Sequence, residues 1–297
     1  KIRMIFTGER VNKYNYFQNY DKVEFVSDMA DELEDCDLLT MLDGSQYERF
    51  SRKPELLKQF TGKTISIDHH GSPIDDFDLT LVLPQTSSTS EIIFKSFYED
   101  SDLPQNVAET LLLGILGDTG NFVFLKPHQS YVFEIAKKLQ DVLKIDIQDF
   151  EAKYRLTSQR VFELVKLLSQ NTQYGKVENW PMFMYTYLSQ ENVLGENYTD
   201  TEISDACHWY MSTYLRIIEG YPWGFVVSPK SDGKCGISFR SLPGSVNTRS
   251  ISERMGIGGG HDRASGGTFK MIDKPTDPGD CVQKVLSWLN ENPAILS

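Results

Sequence analysis

Cysteine is scarce in this chain. The four residues Cys36, Cys207, Cys235 and Cys281 are spread over 297 positions, and no two stand close enough to make a CxxC pair. A zinc finger or a dithiol redox motif is therefore excluded, and scattered reduced thiols in a cytosolic setting fit better. Long apolar runs are also missing: nothing approaches the roughly 18–20 residues that a bilayer span needs. No charged-then-apolar leader opens the chain, which begins at Lys1. Positive charge is in short supply, with 30 Lys and Arg against 42 Asp and Glu and a formal charge of -12. Large-scale electrostatic capture of nucleic acid is thereby excluded, and an anionic ligand would need local help, for which bound cations are the obvious form.

What is present is ordinary globular composition, 40% hydrophobic and 24% charged, which rules out disorder, collagen and coiled coil. The length suits about two domains, each large enough for its own core. In the first half, short runs rich in Ile, Leu and Val at 3–6, 23–26, 38–42, 64–67 and 79–83 read as buried strands of a mostly parallel sheet. Helix-spaced apolar residues follow at 90–98, 106–116 and 131–142, so the first half reads as an α/β layered domain. Residues 147–170 read as one or two connecting helices, with Val161, Leu164, Val165 and Leu168 on one face. A junction is expected at 173–176. Beyond it, strands at 182–188, 225–227, 236–239 and 268–271 and helices at 203–218, 246–255 and 281–289 describe a smaller α+β domain.

Five features carry chemistry. Asp68-His69-His70 follows the strand 64–67, at the end where open α/β sheets bind ligands; imidazole and carboxylate together suit divalent transition metals. Asp43 stands at a second strand end, although Asp43-Gly44 also reads as a plain turn. Gly117-Asp118-Thr119-Gly120 closes an apolar helix; a C-cap accounts for its glycines but not for the carboxylate between them. Gly258-Gly259-Gly260-His261 would offer a nest of backbone N–H groups to an anion, with His261 as a further donor. Arg240-Ser241 ends a strand, and Arg provides a planar fork for phosphate oxygens.

In this order and spacing, Asp43, Asp68-His69-His70, the run from Gly114 to Gly120, Ser238-Phe239-Arg240-Ser241, and Gly258-Gly259-Gly260-His261 with Ala264 and Gly266 resemble the DHH/DHHA1 phosphoesterase family. The likeness is nearest to its nanoRNase and phosphoadenosine-phosphate phosphatase branch and runs over nearly the whole chain. It implies a DHH domain over 1–150 with helices on both faces of the sheet, a helical linker over 151–175 and a DHHA1 substrate-binding domain over 176–297. It also implies two divalent cations, manganese or else magnesium. Asp43 would bridge them, and His69 and Asp118 would bind one ion. His70 would lie by the reacting phosphate and Asp68 would orient its neighbours. Arg240, Ser241, Gly258, Gly259, Gly260 and His261 would hold the substrate. That substrate would be a short oligonucleotide, a dinucleotide or a small nucleotide, not a long duplex or a membrane. The setting would be cytoplasmic, with a homodimer left open.

One departure stands out. The family opens with a strand and a His-x-x-x-Asp-x-Asp-type motif, and no histidine precedes Asp43. The resemblance therefore implies a chain lacking its N-terminal segment; the rival expectation is a nucleotide-binding protein that has lost catalysis. Among enzymes, the Gly-Gly-Gly-His run speaks against the pyrophosphatase branch, and the length speaks against a RecJ-type exonuclease. A soluble phosphodiesterase acting on cyclic dinucleotides stays open.

Overall fold

The computed structural model describes residues 1–11, 14–71, 74–269 and 276–296. It divides into two compact units, Lys1–Leu156 and Thr157–Ser297. Among the described residues, no helix is long and apolar enough to cross a membrane.

The first unit runs β1 (Met4–Thr7), β2 (Val23–Val26), β3 (Leu38–Leu42), α1 (Pro54–Lys58), β4 (Lys63–Asp68), β5 (Leu79–Val82), α2 (Thr89–Phe97), α3 (Gln105–Thr119), α4 (Val132–Leu143) and α5 (Ile147–Arg155). All its described strand pairings are parallel, in two sheets: β1 beside β2, and β3-β4-β5. The strand positions match the apolar runs closely. The cover is less even than a sheet buried on both faces would have: Met41 and Ile67 are buried, whereas Met4, Phe6, Leu38, Leu42 and Leu79 are exposed. The helices take their apolar stripes into a separate core, where Phe94, Leu112, Ile115, Ile135, Leu139 and Phe150 pack together. Ser88 fixes the start of α2, its hydroxyl accepting from the Glu91 N–H.

The second unit runs α6 (Gln159–Gln170), β6 (Gln173–Gly175), β7 (Phe183–Tyr187), α7 (Gln190–Leu194), α8 (Asp200–Thr213), β8 (Trp223–Pro229), β9 (Cys235–Ser241), α9 (Thr248–Arg254), β10 (Gly258–His261), β11 (Ala264–Phe269) and α10 (Pro278–Glu291). Its six strands lie in the order β10-β11-β9-β8-β7-β6, antiparallel except for the parallel pair β7–β8. Alternate residues of β8 and β9, Trp223, Phe225, Val227, Cys235, Ile237 and Phe239, bury against Cys281, Val282, Val285 and Leu289 of α10. Met184 and Val226 face the other way, onto α6 and α8.

Several sequence expectations shift. The division falls at Leu156–Thr157 and not at 173–176, because α6, capped by Ser158, packs Val161, Leu164, Val165 and Leu168 into the second unit's core. Residues 173–175 form the strand β6 on β7. The helix expected over 203–218 stops at Thr213, and the chain turns so that Leu215 lies against Gly224 of β8. The helix expected from 246 starts at Thr248, because Asn247 caps it and Val246 bridges to Leu296. The expected glycine nest is an edge strand: β10 pairs with β11 in register Gly258↔Gly267 to His261↔Ala264. Gly258 and Gly260 are required there, since a Cβ at Gly258 would sit 2.2 Å from the Gly266 carbonyl oxygen and one at Gly260 2.7 Å from the Ala264 carbonyl oxygen, whereas a Cβ at Gly259 would meet only Glu253 Oε1 at 4.0 Å. The strand expected over 268–271 is seen to Phe269; Lys270 and Met271 lie outside the described residues.

Candidate metal and phosphoester site

Parallel pairing sets the first part of the site. The register of β3 with β4 places Leu42 beside Ile67, so Asp43, just past the end of β3, comes beside Asp68, the last residue of β4, which still pairs with Val82 of β5. Asp43 donates its N–H to the Ile67 carbonyl at 2.9 Å and takes a left-handed backbone, φ 65°. Aspartate is one of the few residues that enters this region readily, and the bend turns the carboxylate off the strand. Its Oδ1 accepts from the Thr89 hydroxyl at 2.7 Å, at the start of α2.

Asp68 is fully buried. Its Oδ1 accepts from the His70 backbone N–H at 3.0 Å and lies 2.6 Å from His70 Nδ1. Burial pushes the Asp68 carboxyl up, but the two contacts from His70 and the His70 charge outweigh it, and the group sits at about 2. A carboxylate against Nδ1 fixes the ring and its tautomer, so His70 presents Nε2 away from Asp68. Arg49 Nη2 approaches that nitrogen to 3.5 Å.

His69 is buried, and burial, then the His70 charge, lowers its proton affinity, so the neutral imidazole is favoured. Its Nε2 lies 3.7 Å from Asp43 Oδ1 and 3.7 Å from Asp118 Oδ2. Asp118 arrives from another direction. The expected helix over 106–116 continues to Thr119, which puts Asp118 in the last turn of α3; Gly120, φ 55°, is the left-handed cap that ends it. Asp118 keeps 35% of its side-chain surface open, yet desolvation, then the charge of Asp43, pushes it up to about 7.

The ligand atoms of Asp43, His69 and Asp118 all lie within 4.8 Å of one another, and so do those of Asp43, Asp68 and His70. Two carboxylates crowded around a neutral imidazole repel each other unless a proton or a cation stands between them, and this oxygen and nitrogen set fits a divalent ion. In the second group, Asp68 and His70 satisfy each other, so Asp43, His69 and Asp118 make the better cradle. The three residues expected as metal ligands are brought together, and Asp68 stands where an orienting group would. Arg49 carries no mark in the sequence beyond its place on the strand-end loop that begins at Asp43.

In the second unit, Arg240 and His261 share one face of the sheet, since Arg240 pairs with Ala264 and Ala264 with His261. Ser241 alternates to the opposite face, and its side chain is buried toward the α10 core. Gly258, Gly259 and Gly260 lie on the edge strand.

No family model matches the chain. An exopolyphosphatase-related protein from Bacteroides fragilis shares the fold, with a TM-score of 0.77 at 22% identity over 97% of this chain and 82% of that one. In motif order and in its relatives, the chain is similar to the DHH phosphoesterases. The particular relatives are NrnA proteins. One, from Streptococcus mutans, is named a probable bifunctional oligoribonuclease and PAP phosphatase; it is 32% identical over 203 residues, 68% of this chain and 61% of that protein. Another, from Thermus thermophilus, is named a bifunctional oligoribonuclease and PAP phosphatase and is 27% identical over 254 residues, 85% of this chain and 71% of that protein. The match thus spans about three-fifths of the length of the streptococcal relative.

Proposed function

We propose that the chain is a metal-dependent phosphoesterase that hydrolyses short oligonucleotides, dinucleotides or 3'-phosphoadenosine 5'-phosphate-type nucleotides to 5'-mononucleotides. The observation that carries this reading is the convergence of Asp43, His69 and Asp118, with donor atoms within 4.8 Å of one another, in a homologue of NrnA proteins. These three residues would hold divalent cations, manganese or else magnesium, with Asp43 shared. When bound, such ions activate water and neutralise phosphate charge. The chain's own residues do the rest. Asp68 holds His70 by Nδ1, so His70 Nε2 is aimed to hydrogen-bond the reacting phosphate or its leaving ribose oxygen. Arg49, beside that nitrogen, adds a positive fork for the same charge.

In this reading, the first unit, Lys1–Leu156, acts as the DHH domain and the second, Thr157–Ser297, as the DHHA1 domain, in a cytoplasmic protein. Arg240, His261 and the edge strand Gly258–His261 bind the nucleotide; Ser241 supports the sheet from its buried side. The acidic net charge agrees with a short ligand, which needs no long basic track.

The test is release of 5'-mononucleotide from a dinucleotide with Mn²⁺. No turnover at any metal concentration overturns hydrolysis. A second reading is nucleotide binding without catalysis. Nucleotide binding without turnover in the same assay would select it.

A further inference from the structure

Asp43 is the least enclosed of the three gathered donors. It stands just past β3 on a left-handed backbone, φ 65°, and half of its side-chain surface is open. Among the described residues, one hydrogen bond reaches its carboxylate: the Thr89 hydroxyl donates to Oδ1 at 2.7 Å. That oxygen is the one facing His69 Nε2, 3.7 Å away. Thr89 is itself firmly placed. It is buried, it is the first residue of α2, and β-branching leaves its side chain few χ1 positions. Ser88 caps the helix by accepting from the Glu91 N–H at 3.0 Å. The buried Glu91 carboxylate accepts from the Ser87 N–H at 2.7 Å and from Lys95 Nζ at 2.5 Å. Phe94 anchors the following turn in the helical core.

The start of α2 also meets the helix that delivers Asp118. A Cβ on Gly114 of α3 would stand 2.1 Å from the Ser90 hydroxyl, so the two helices touch there. Asp118 follows Gly114 by four residues, on the same side of α3 and one turn further on. Neighbouring residues of α2, Thr89 and Ser90, thus contact the Asp43 carboxylate and the helix row that carries Asp118. A carboxylate held by a donor outside the ligand set keeps its direction before an ion arrives, so less side-chain freedom is lost on binding. A hydroxyl suits this task, because it is neutral and does not repel a cation as Lys or Arg would. We propose that Thr89 is the positioning residue of the cation site: its hydroxyl holds Asp43 in the direction in which it can share an ion with His69 and Asp118. The proposal rests on the metal-dependent reading above and deepens it by naming the group that sets the shared ligand.

The experiment is Mn²⁺ binding to the whole chain without nucleotide, followed by the loss of the free ion's electron paramagnetic resonance signal. Wild type, Thr89→Val and Thr89→Ser are compared, with metal-free melting curves recorded for each. Valine keeps the shape and removes the donor; serine keeps the donor. Thr89→Val is expected to weaken Mn²⁺ binding by about ten- to a hundredfold, the range for a group that orients a metal ligand. Thr89→Ser should stay within about threefold of wild type, because the hydroxyl is restored. A residue that merely supports α2 would lower the melting temperature and leave Mn²⁺ affinity alone. Affinity within about twofold of wild type in a folded Thr89→Val protein therefore overturns the proposal, and so does an equal loss in Thr89→Ser. If Thr89→Val does not fold, Thr89→Ala is judged by the same limit. Dinucleotide turnover with Mn²⁺ reports separately on hydrolysis. Wild-type turnover with unchanged Mn²⁺ affinity in Thr89→Val sinks the positioning role alone, and Thr89-dependent Mn²⁺ binding without turnover keeps that role and sinks hydrolysis. A wild type that binds no Mn²⁺ sinks the metal-dependent reading and this role with it.

Discussion

The two units assemble their polar groups in opposite ways. In the first, carboxylates and imidazoles gather where parallel strands and one helix end, and several of those strands keep apolar residues such as Phe6 and Leu38 exposed. In the second, the sheet is closed on α10 by a continuous apolar core, and arginine stands on the opposite face. Strand ends let acidic groups from distant segments meet at a point, which suits a compact cation. A flat sheet face sets its groups in rows, which suits an extended organic anion.

That contrast can be broken most sharply by packing. Phe239→Ala, which empties a fully buried position, is expected to destabilise the protein by about 3–5 kcal/mol, whereas Phe6→Ala at an exposed position should cost well under about 1 kcal/mol. Denaturant melts of the two variants check this, and equal losses would dissolve the distinction. In activity, Asp118→Ala or His69→Ala is expected to reduce kcat/KM on a dinucleotide by on the order of a hundredfold or more and to weaken metal binding in titrations. Asp68→Asn removes a partner of His70, not a ligand, so about ten- to a hundredfold is expected, in kcat more than in KM.

The smallest effect concerns protons. Asp118 is pushed up to about 7, above an unfolded carboxyl near 3.9. Between these values the folded chain binds more protons than the unfolded one, so metal-free stability should fall as pH rises from about 4 to 7. Melting temperatures in chelator, compared with Asp118→Asn, which should lose that slope, measure it. Metal addition should flatten it by replacing the proton.

How much of this was legible in the sequence depends on whether side chains or backbone decide. The runs at 23–26 and 38–42 coincide with β2 and β3, because apolar side chains mark them. Asp43, Asp68, His69 and Asp118 were legible as donors, since the strand and helix ends that deliver them carry their own signals. The strand character of 258–261 was hidden because glycines have no side-chain periodicity. Arg49 was hidden for another reason: it ends a short 3-10 turn with no pattern of its own, and only the fold shows that it approaches His70. The division at Leu156–Thr157 was missed because an amphipathic helix such as α6 does not declare which core its stripe will join.

The ladder between β3 and β4 has a consequence for variation. The spacing of Asp43 and Asp68 is set by main-chain bonds across two neighbouring strands and owes nothing to the number of residues joining them. Inserting chain at the exposed positions Lys58 and Gln59, beyond the buried Leu57, should leave the cradle's dimensions intact. A one-residue shift inside either strand would swing a donor to the wrong side of the sheet. Length can drift freely in one place and not at all in the other, though both lie on the same short stretch of polypeptide.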